Sequence, residues 1–290
     1  MHRRFEEFGF PLITDRNVIP RNDDTTLFVC SGMQQVKRRF HDSDGGRHGS
    51  LQSCIRTDDL ELIGDGSHLT YFEMLGNFSF GGGDYEESIE LWHSILTDLQ
   101  ITETCVRVHP SQSYHRRIWT RLGYEVLEDE QCVWSDGTIG GYCCEVFVGD
   151  LEIGNLVNTL GHSTDVGFGW ERLVLVMEGK DSVFETSIFD PNLDPIVSDH
   201  SRTISMMIEN GIEPGSRGRN YVCRRLLRRI LHFMDGSECF SFDDQLQEER
   251  QLRDRSISQG RRFWRRHKNR PSQFWWETFG IMPEELRLLE

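Results

Sequence analysis

The chain changes character near residue 190, and this change limits the folds open to it. Residues 1–190 hold 15 lysines and arginines against 32 aspartates and glutamates, whereas residues 191–290 hold 17 against 15. The first stretch mixes strand and helix patterns, and the second has the apolar spacing of helices. The sequence therefore predicts two domains, residues 1–190 and residues 191–290, with a boundary near Asp190–Pro195.

Apolar periodicity and turn residues predict the individual elements. Strands are predicted over residues 27–30, 106–108, 145–148 and 151–157, helices over residues 86–99, 170–178, 221–234 and 245–266, and an aromatic C-terminal element over residues 274–289. In the helix at 221–234, Val222, Leu226 and Ile230 share one half of the surface. The other half carries four arginines, Arg224, Arg225, Arg228 and Arg229. That half is either a solvated face or a nucleic-acid contact, and the sequence leaves both open.

Several protein classes are excluded by composition. No apolar run approaches the ~20 residues of a membrane span. The N-terminal stretch Met1–Glu7 turns acidic and lacks the apolar core of a signal peptide. Eight cysteines occur without a C-x-x-C pair, which favours reduced thiols and indicates no zinc site. We therefore expect a cytoplasmic protein without membrane contact.

Three segments gather the residue types that nucleotide-dependent carboxylate activation requires. They are Gln52–Arg56 with His68–Ser79, Glu152–Val157, and Asp165–Arg172. An arginine must neutralise the α-phosphate under attack, and an aromatic ring with a guanidinium can sandwich adenine. Carboxylate and amide oxygens suit Mg²⁺, and a buried carboxylate can hold an ammonium group. The three segments therefore predict a site for activating an amino acid with ATP.

In this order, the segments resemble the catalytic region of alanyl-tRNA synthetases, a class II aminoacyl-tRNA synthetase family. The matching pieces are Cys30–Gln35 (first signature), Arg56 with His68–Phe80 (motif 2), Gly169–Arg172 (motif 3), and Asp199–His200, Asn210–Gly211 and Tyr221–Arg229 (start of the tRNA-acceptor domain). The resemblance runs from about Phe5 to Phe233 and continues more weakly to the C-terminus. It implies an α+β fold, in which an antiparallel sheet flanked by helices precedes a smaller helical domain.

The resemblance assigns the nucleotide contacts to four residues. Arg56 is expected to contact the α-phosphate and the amino-acid carboxylate. Phe72 and Arg172 are expected to sandwich adenine, with Arg172 and His68 near the outer phosphates. Arg56 and Arg172 are thereby implied to be the catalytic residues.

The resemblance also assigns the magnesium and amino-acid sites. Glu152 and Asn155 are expected to hold Mg²⁺, and Asp165 to bind the substrate ammonium group. Three residues are expected to wall a pocket that fits a methyl side chain: Trp134, Val157 and Gly167. Larger amino acids are excluded sterically, whereas glycine and serine are rejected weakly, because one small group is worth only ~1–3 kcal/mol.

The chain departs from the family mainly where the family recognises tRNA. The loop after Arg56 is shortened to Thr57–Asp59, and Ser216 and Glu277 stand where the family has an acceptor-reading Asn and an Asp. The family's editing domain with its zinc site and its C-terminal domain have no counterpart in these residues. Four arginines are candidates for contact with an acceptor or a nucleic acid: Arg217, Arg219, Arg225 and Arg228.

These observations predict ATP- and Mg²⁺-dependent activation of L-alanine as alanyl-adenylate. The alanyl group would pass to a small-molecule acceptor, as in antibiotic or nucleoside biosynthesis within secondary metabolism. One alternative is a minimal or backup alanyl-tRNA synthetase that charges tRNA(Ala), and another is a non-catalytic paralogue. Whether the protein forms a homodimer is left open.

The chain contains no alanine, although 290 residues would ordinarily include roughly 20. Alanine is also the best helix former, so helices normally use it. Positions that carry alanine in the family hold other residues, such as Ser31 and Ile230. Because the predicted substrate is alanine itself, we hypothesise that the protein is made when alanyl-tRNA is scarce.

Overall fold

The chain divides into two compact units in the computed structural model, which describes residues 1–21, 23, 25–83, 85–159, 162–234, 236 and 239–289. The first unit contains Met1–Asp58 and Asp65–Phe189, and the second contains Asp59–Gly64 and Asp190–Glu290. The short segment Asp59–Gly64 belongs to the second unit, although it lies in the first part of the sequence.

The first unit is built on a nine-stranded sheet of described residues whose centre is antiparallel. Its strands are β1 (Leu12–Asp15), β2 (Arg47–Ile55), β3 (Tyr71–Ser79), β4 (Cys105–Val108), β5 (Glu125–Glu128), β6 (Val133–Ser135), β7 (Gly140–Val148), β8 (Leu151–Thr159) and β9 (Ser163–Gly169). The spatial order is β1-β2-β3-β9-β8-β7-β4-β5, with β6 paired to β7. The predicted α+β class is confirmed. The sheet is mixed rather than wholly antiparallel, because β1–β2 and β4–β5 are parallel pairs.

One face of this sheet is covered by helices. The helices of the first unit are α1 (His2–Glu7), α2 (Lys37–Asp42), α3 (Tyr85–Asp98), α4 (Ser113–Arg121) and α5 (Trp170–Met177). In α3, Ile89, Trp92 and Leu96 recur on one side and are buried in the core. Trp92 stacks on Phe168 of β9 at 3.6 Å between ring centroids. Burying each such side chain contributes ~1.5–3 kcal/mol, so this face is fixed by packing.

The second unit is helical. Its helices are α6 (Pro195–Glu209), α7 (Gly218–Phe233), α8 (Asp243–His267) and α9 (Ser272–Phe279), followed by a 3-10 helix over Pro283–Leu289. Helix α6 begins with a side-chain cap, because the Asp194 carboxylate accepts the Ile196 N–H at 2.9 Å. Pro195 follows in the first turn, where its missing N–H has no helical partner to lose.

Among the residues described, none of the helices combines the length and the apolarity that a membrane crossing requires.

Most predicted elements are confirmed with modest changes of length. Helices α3, α5, α7 and α8 and strands β4, β7 and β8 lie where periodicity predicted them. The strand predicted over residues 27–30 is wrong, since these residues form no ladder. Phe28 and Val29 are buried, and Val29 makes single backbone bonds to Val18 and Ile55. Burial rather than sheet pairing explains this apolar run.

The arginine half of α7, for which the sequence leaves a solvated face and a nucleic-acid contact both open, is partly buried. Arg228 and Arg229 are only 0% and 3% exposed. The Arg228 Nε donates to the buried Glu249 carboxylate of α8, and the Arg229 Nε donates to His200 of α6 at 3.0 Å. Ion pairing within the unit has therefore drawn two of the four arginines inward.

We expect Glu249→Gln to lower the free energy of unfolding by about 3 kcal/mol, because it leaves the buried Arg228 without its main counter-charge. The control is Glu248→Gln on the exposed side of α8, which should change stability by less than about 0.5 kcal/mol. Chemical denaturation followed by tryptophan fluorescence measures both. Equal stability of the two variants would show that the Arg228–Glu249 pair contributes nothing.

Candidate active site

The face of the central sheet opposite α3 brings the predicted site segments together, and Met33 and Phe40 cover it only around Phe78. Residues directly opposite on antiparallel strands point to the same side. One row across β7, β8, β9 and β3 is Glu145, Asn155, Gly167 and Gly76, and the next row is Cys143, Val157, Asp165 and Phe78. Residues from three separated parts of the sequence thus line one surface.

A β-bulge places Glu152 on this surface. In a regular strand, residues 152 and 155 would face opposite sides because they are three apart. Here Gly154 pairs with Val146 while Glu152 pairs with Phe147, so Ile153 is an extra residue in β8. Both Ile153 and Val146 are buried in the helix-covered core. Glu152 therefore shares a face with Asn155, as a common Mg²⁺ site requires.

Arg56, Phe72 and Arg172 form a cluster at the ends of β2, β3 and β9. The Arg56 guanidinium lies 5.0 Å from the Phe72 ring centroid, and its Nε donates to the Cys30 carbonyl at 2.9 Å. Arg172 lies in the first turn of α5 and donates to the Glu152 carbonyl at 2.7 Å. Desolvation lowers the pKa of Arg172, Arg56 lowers it further, and Glu152 opposes the change. Two cations and an aromatic ring are thus assembled near Glu152.

His68 reaches the same region through Asp65. The His68 Nδ1 is hydrogen-bonded to the Asp65 carboxylate at 2.5 Å. Desolvation raises the pKa of Asp65, but hydrogen bonds from the backbone of Ser67 and His68 outweigh it and lower the pKa to about 2. Asp65 also favours the charged form of Arg172, which indicates that this loop lies near the arginine.

The residues predicted to wall the amino-acid pocket lie on the same face. Trp134 of β6 packs against the buried cluster that contains Val157. A Cβ added at Gly167 would lie 2.8 Å from the Met74 Sδ, so methionine and glycine are in close contact there. At the neighbouring Gly76, a Cβ would meet the Val166 carbonyl oxygen at 2.0 Å, which only glycine avoids. The lining of this predicted pocket is therefore backbone at the glycines and apolar at Trp134 and Val157.

Asp165 supplies a negative charge beside this pocket. Within the described part of the chain, no side chain forms an ion pair or hydrogen bond with its carboxyl group. Desolvation, reinforced by the nearby Asp136, raises the pKa of Asp165 from 3.8 to about 7. A desolvated carboxylate without a partner favours a cationic ligand, because the cation supplies the missing counter-charge.

We expect Asp165→Asn to increase the free energy of unfolding at pH 8, by at most about 4 kcal/mol. A carboxyl group with a raised pKa contributes stability below the unfolded pKa of about 4 and loses it as pH rises to about 7. The gain should therefore be smaller at pH 5 than at pH 8. The exposed Asp150→Asn should change little at either pH, and an unchanged Asp165→Asn at pH 8 would contradict the assigned pKa. Denaturation curves at both pH values measure this.

The four candidate acceptor contacts do not form one exposed surface. Arg217 is exposed at the start of α7, Arg219 is half-buried, and Arg225 is paired with Glu61 at 3.4 Å. Arg228 is buried against Glu249, so its assignment as an acceptor or nucleic-acid contact is wrong. The Glu277 side chain lies outside the described residues.

Ser216 lines a cavity of about 420 Å³ within the second unit. Its charged lining residues are Glu213, Arg224, Asp244, Glu248 and Glu249. The single arginine among them is already paired with Glu249 at 3.0 Å. Nucleic-acid phosphates bind to surplus positive charge, which this cavity lacks.

Two site residues escaped the sequence analysis. Met74 follows Phe72 by two positions on β3, and the strand alternation could have placed it on the same face. Glu145 lies directly opposite Asn155, and desolvation together with Glu152 raises its pKa. The sequence pattern alone does not identify Glu145, because its place opposite Asn155 depends on the pairing of β7 with β8.

Comparisons with known proteins show which family the chain is similar to. The family described as tRNA synthetases class II (A) matches residues 4–159 and 152–240. An alanine–tRNA ligase of Desulfitobacterium hafniense is 32% identical over 295 residues, covering 79% of this chain and 34% of the relative. One from Magnetococcus marinus is 32% identical over 297 residues, covering 78% and 34%. Among solved structures, apo Staphylococcus aureus histidyl-tRNA synthetase aligns with a TM-score of 0.45 and 12% identity, covering 86% of this chain and 80% of that one.

The chain belongs to the class II tRNA synthetase family, because the family match spans most of its length. The curated relatives described as alanine–tRNA ligases are about three times longer, so the chain spans only about a third of their length.

Proposed function

We propose that this protein activates L-alanine with ATP and transfers the alanyl group to a small-molecule acceptor that carries an amine or a sulfonamide. The observation that carries the proposal is Asp165, a desolvated carboxyl group without a partner among the described residues, which lies directly opposite Val157 on the neighbouring strand. The relatives named alanine–tRNA ligase agree with alanine as the amino acid.

In the activation step, a carboxylate oxygen of alanine attacks the α-phosphorus of ATP. A new P–O bond forms while the bond to pyrophosphate breaks, which gives alanyl-adenylate and free pyrophosphate. Asp165 holds the ammonium group, and Trp134, Val157 and Gly167 enclose the methyl group. Arg56 and Arg172 stabilise the charge that develops on phosphorus, and Phe72 stacks on adenine.

The carboxylate and amide oxygens on this face fit Mg²⁺, which prefers oxygen ligands. Glu152 and Asn155 would hold the ion, and it would neutralise phosphate charge during the displacement. Because the reaction consumes ATP, we place it in the cytoplasm.

In the transfer step, a nitrogen of the acceptor attacks the alanyl carbonyl carbon, and AMP leaves. The acidic lining of the cavity beside Ser216 does not favour binding of an acceptor stem, whose phosphates need surplus positive charge. The burial of Arg228 also removes one predicted nucleic-acid contact. We therefore place the acceptor among the amine-bearing metabolites of antibiotic or nucleoside biosynthesis.

Charging of tRNA(Ala) is the second candidate. It is favoured by the relatives described as alanine–tRNA ligases and by the exposed Arg217. A non-catalytic paralogue is the third. It accounts poorly for the grouping of Arg56, Glu152, Asp165 and Arg172 on one sheet face and its edge.

Amino-acid-dependent ATP–pyrophosphate exchange tests the activation step. We expect exchange with alanine, weaker exchange with glycine and serine, and none with larger amino acids. Asp165→Asn should raise the KM for alanine at least ~30-fold, since losing one partner of a buried charge pair costs about 2–5 kcal/mol. No exchange with any amino acid would contradict the proposal and favour the paralogue. Efficient charging of a tRNA(Ala) transcript would overturn the small-molecule acceptor alone.

A further inference from the structure

Three metal-ligating atoms converge on the edge of the candidate active site. The Sγ atoms of Cys132 and Cys143 and a carboxylate oxygen of Glu145 all lie within 4.8 Å of one another. The Cys143 Sγ is 3.7 Å from the Glu145 Oε1. Both cysteines are buried, and Glu145 is half-buried, which leaves a route from solvent.

The backbone holds these groups in place before any ligand binds. Cys143 and Glu145 are two apart on β7 and therefore share a face. Cys132 precedes β6, and its carbonyl accepts the Cys143 N–H at 2.9 Å, which continues the β6–β7 ladder by one step. The cluster thus rests on sheet pairing rather than on a mobile loop.

We propose that Cys132, Cys143 and Glu145 form a binding site for a thiophilic divalent cation of the Zn²⁺ type. Zn²⁺ binds sulfur at ~2.3 Å and carboxylate oxygen at ~2.0–2.2 Å with tetrahedral geometry, which separates such ligands by about 3.5 Å. The observed spacing matches this separation after small side-chain movements. Three protein ligands leave a fourth position for water or a substrate atom.

The local charges favour a cation at this position. Glu145 is exposed to the like charges of Glu152 and Asp129, and Arg107 offsets them only in part. Thiolate ligation requires both cysteines to lose their protons, so metal binding should release protons and its affinity should rise with pH.

The ligand set distinguishes this site from the proposed magnesium site. Thiolates select soft or borderline metals, whereas Glu152 and Asn155 offer only oxygen, which suits Mg²⁺. Sequence spacing does not indicate this site, because ten residues separate Cys132 from Cys143, whereas two are typical of zinc motifs.

The metal would brace a wall of the amino-acid pocket. Cys132 and Cys143 pack in one cluster with Val157, and Trp134 contacts the same cluster. Holding the β6–β7 hairpin fixes Trp134, so metal loading should lower the KM for alanine. This consequence rests on the proposed function, whereas metal binding itself does not.

Titration of the reduced, chelator-treated protein with Co²⁺ and Zn²⁺ tests the site. Tetrahedral thiolate ligation predicts one equivalent of Co²⁺ with a thiolate charge-transfer band and intense visible absorption, displaced by Zn²⁺. All proteins carry Cys239→Ser, which removes the exposed thiol. Cys132→Ser and Cys143→Ser should weaken binding about 100-fold or more, beyond the 10–100-fold typical of an outer-shell partner.

Cys144→Ser is the matched control, since Cys144 is adjacent in sequence but faces Trp119 and Leu156 on the other side of the sheet. It should bind Co²⁺ like the parent. Two results would overturn the proposal. The first is metal binding that survives loss of both cysteines. The second is a Cys132–Cys143 disulfide that forms in air while no metal binds under reducing conditions. Metal binding without exchange activity would instead leave this site standing and sink the proposed function.

Discussion

Arg56→Ala is expected to reduce alanine-dependent ATP–pyrophosphate exchange by about 10³-fold or more. Its guanidinium is exposed, stacks on Phe72 and, among the described residues, makes one side-chain hydrogen bond, which the Cys30 carbonyl accepts. It is therefore free to bind a phosphate oxygen, and cations that stabilise developing charge in phosphoryl transfer are worth 10²–10⁵-fold. Arg56→Lys should restore little, because an ammonium group cannot form the same pair of parallel hydrogen bonds.

The matched control is Arg38→Ala in the same unit. Arg38 is 87% exposed and pairs with Asp42 at 3.5 Å within α2, an arrangement that contributes little to stability. Its exchange rate and unfolding curve should equal those of the parent. If Arg56→Ala retained more than a tenth of the parent rate while Arg38→Ala behaved normally, the proposed role of Arg56 would be wrong.

The sequence predicts the class of fold and the long elements well, because their apolar spacing repeats over many residues. Helices α3, α7 and α8 follow from this signal alone. The burial of Arg228 could not be foreseen, since spacing on α7 does not reveal that Glu249 of α8 meets it. Long-range ion pairing is a tertiary property that no helical pattern contains.

Part of the candidate site could be predicted only through the family resemblance. Local chemistry singles out Asp165 and Arg172, but spacing alone argues against Glu152 and Asn155 as partners, because regular strands alternate. The bulge at Ile153 overrides that alternation. Glu145 and Cys132 became visible only when strand pairing brought β6, β7 and β8 together.

Translation without alanyl-tRNA is expected to give the full-length chain, because the sequence contains no alanine. A Cys223→Ala variant should stop after Val222 in the same reconstituted system. Cys223 is a buried residue of α7, so this change leaves the surface intact and introduces one alanine codon. Cys223→Ser, which introduces none, is the matched control and should be made in full. Electrophoresis of labelled products measures the outcome, and the expected effect is all or none.

Some buried helical positions that hold small residues could take alanine. They include Ser88 in α3 and Cys223 in α7. Gly260 in α8 is different, because a Cβ there would lie 2.4 Å from the Ile281 Cδ1. Packing therefore explains the missing alanine at Gly260, whereas selection on the codon is the hypothesis for Ser88 and Cys223.

Ribosome profiling of the native host during alanyl-tRNA depletion tests whether the absence of alanine allows this protein to be made when alanyl-tRNA is scarce. We expect ribosome occupancy on this message to be maintained while occupancy elsewhere accumulates at alanine codons. Occupancy that falls in parallel with alanine-containing messages would reject the hypothesis. A protein that consumes alanine, or whose product inhibits the housekeeping synthetase, lowers the supply of alanyl-tRNA by its own action. A chain that needs no alanine escapes that feedback, so its synthesis continues under the conditions that its activity creates.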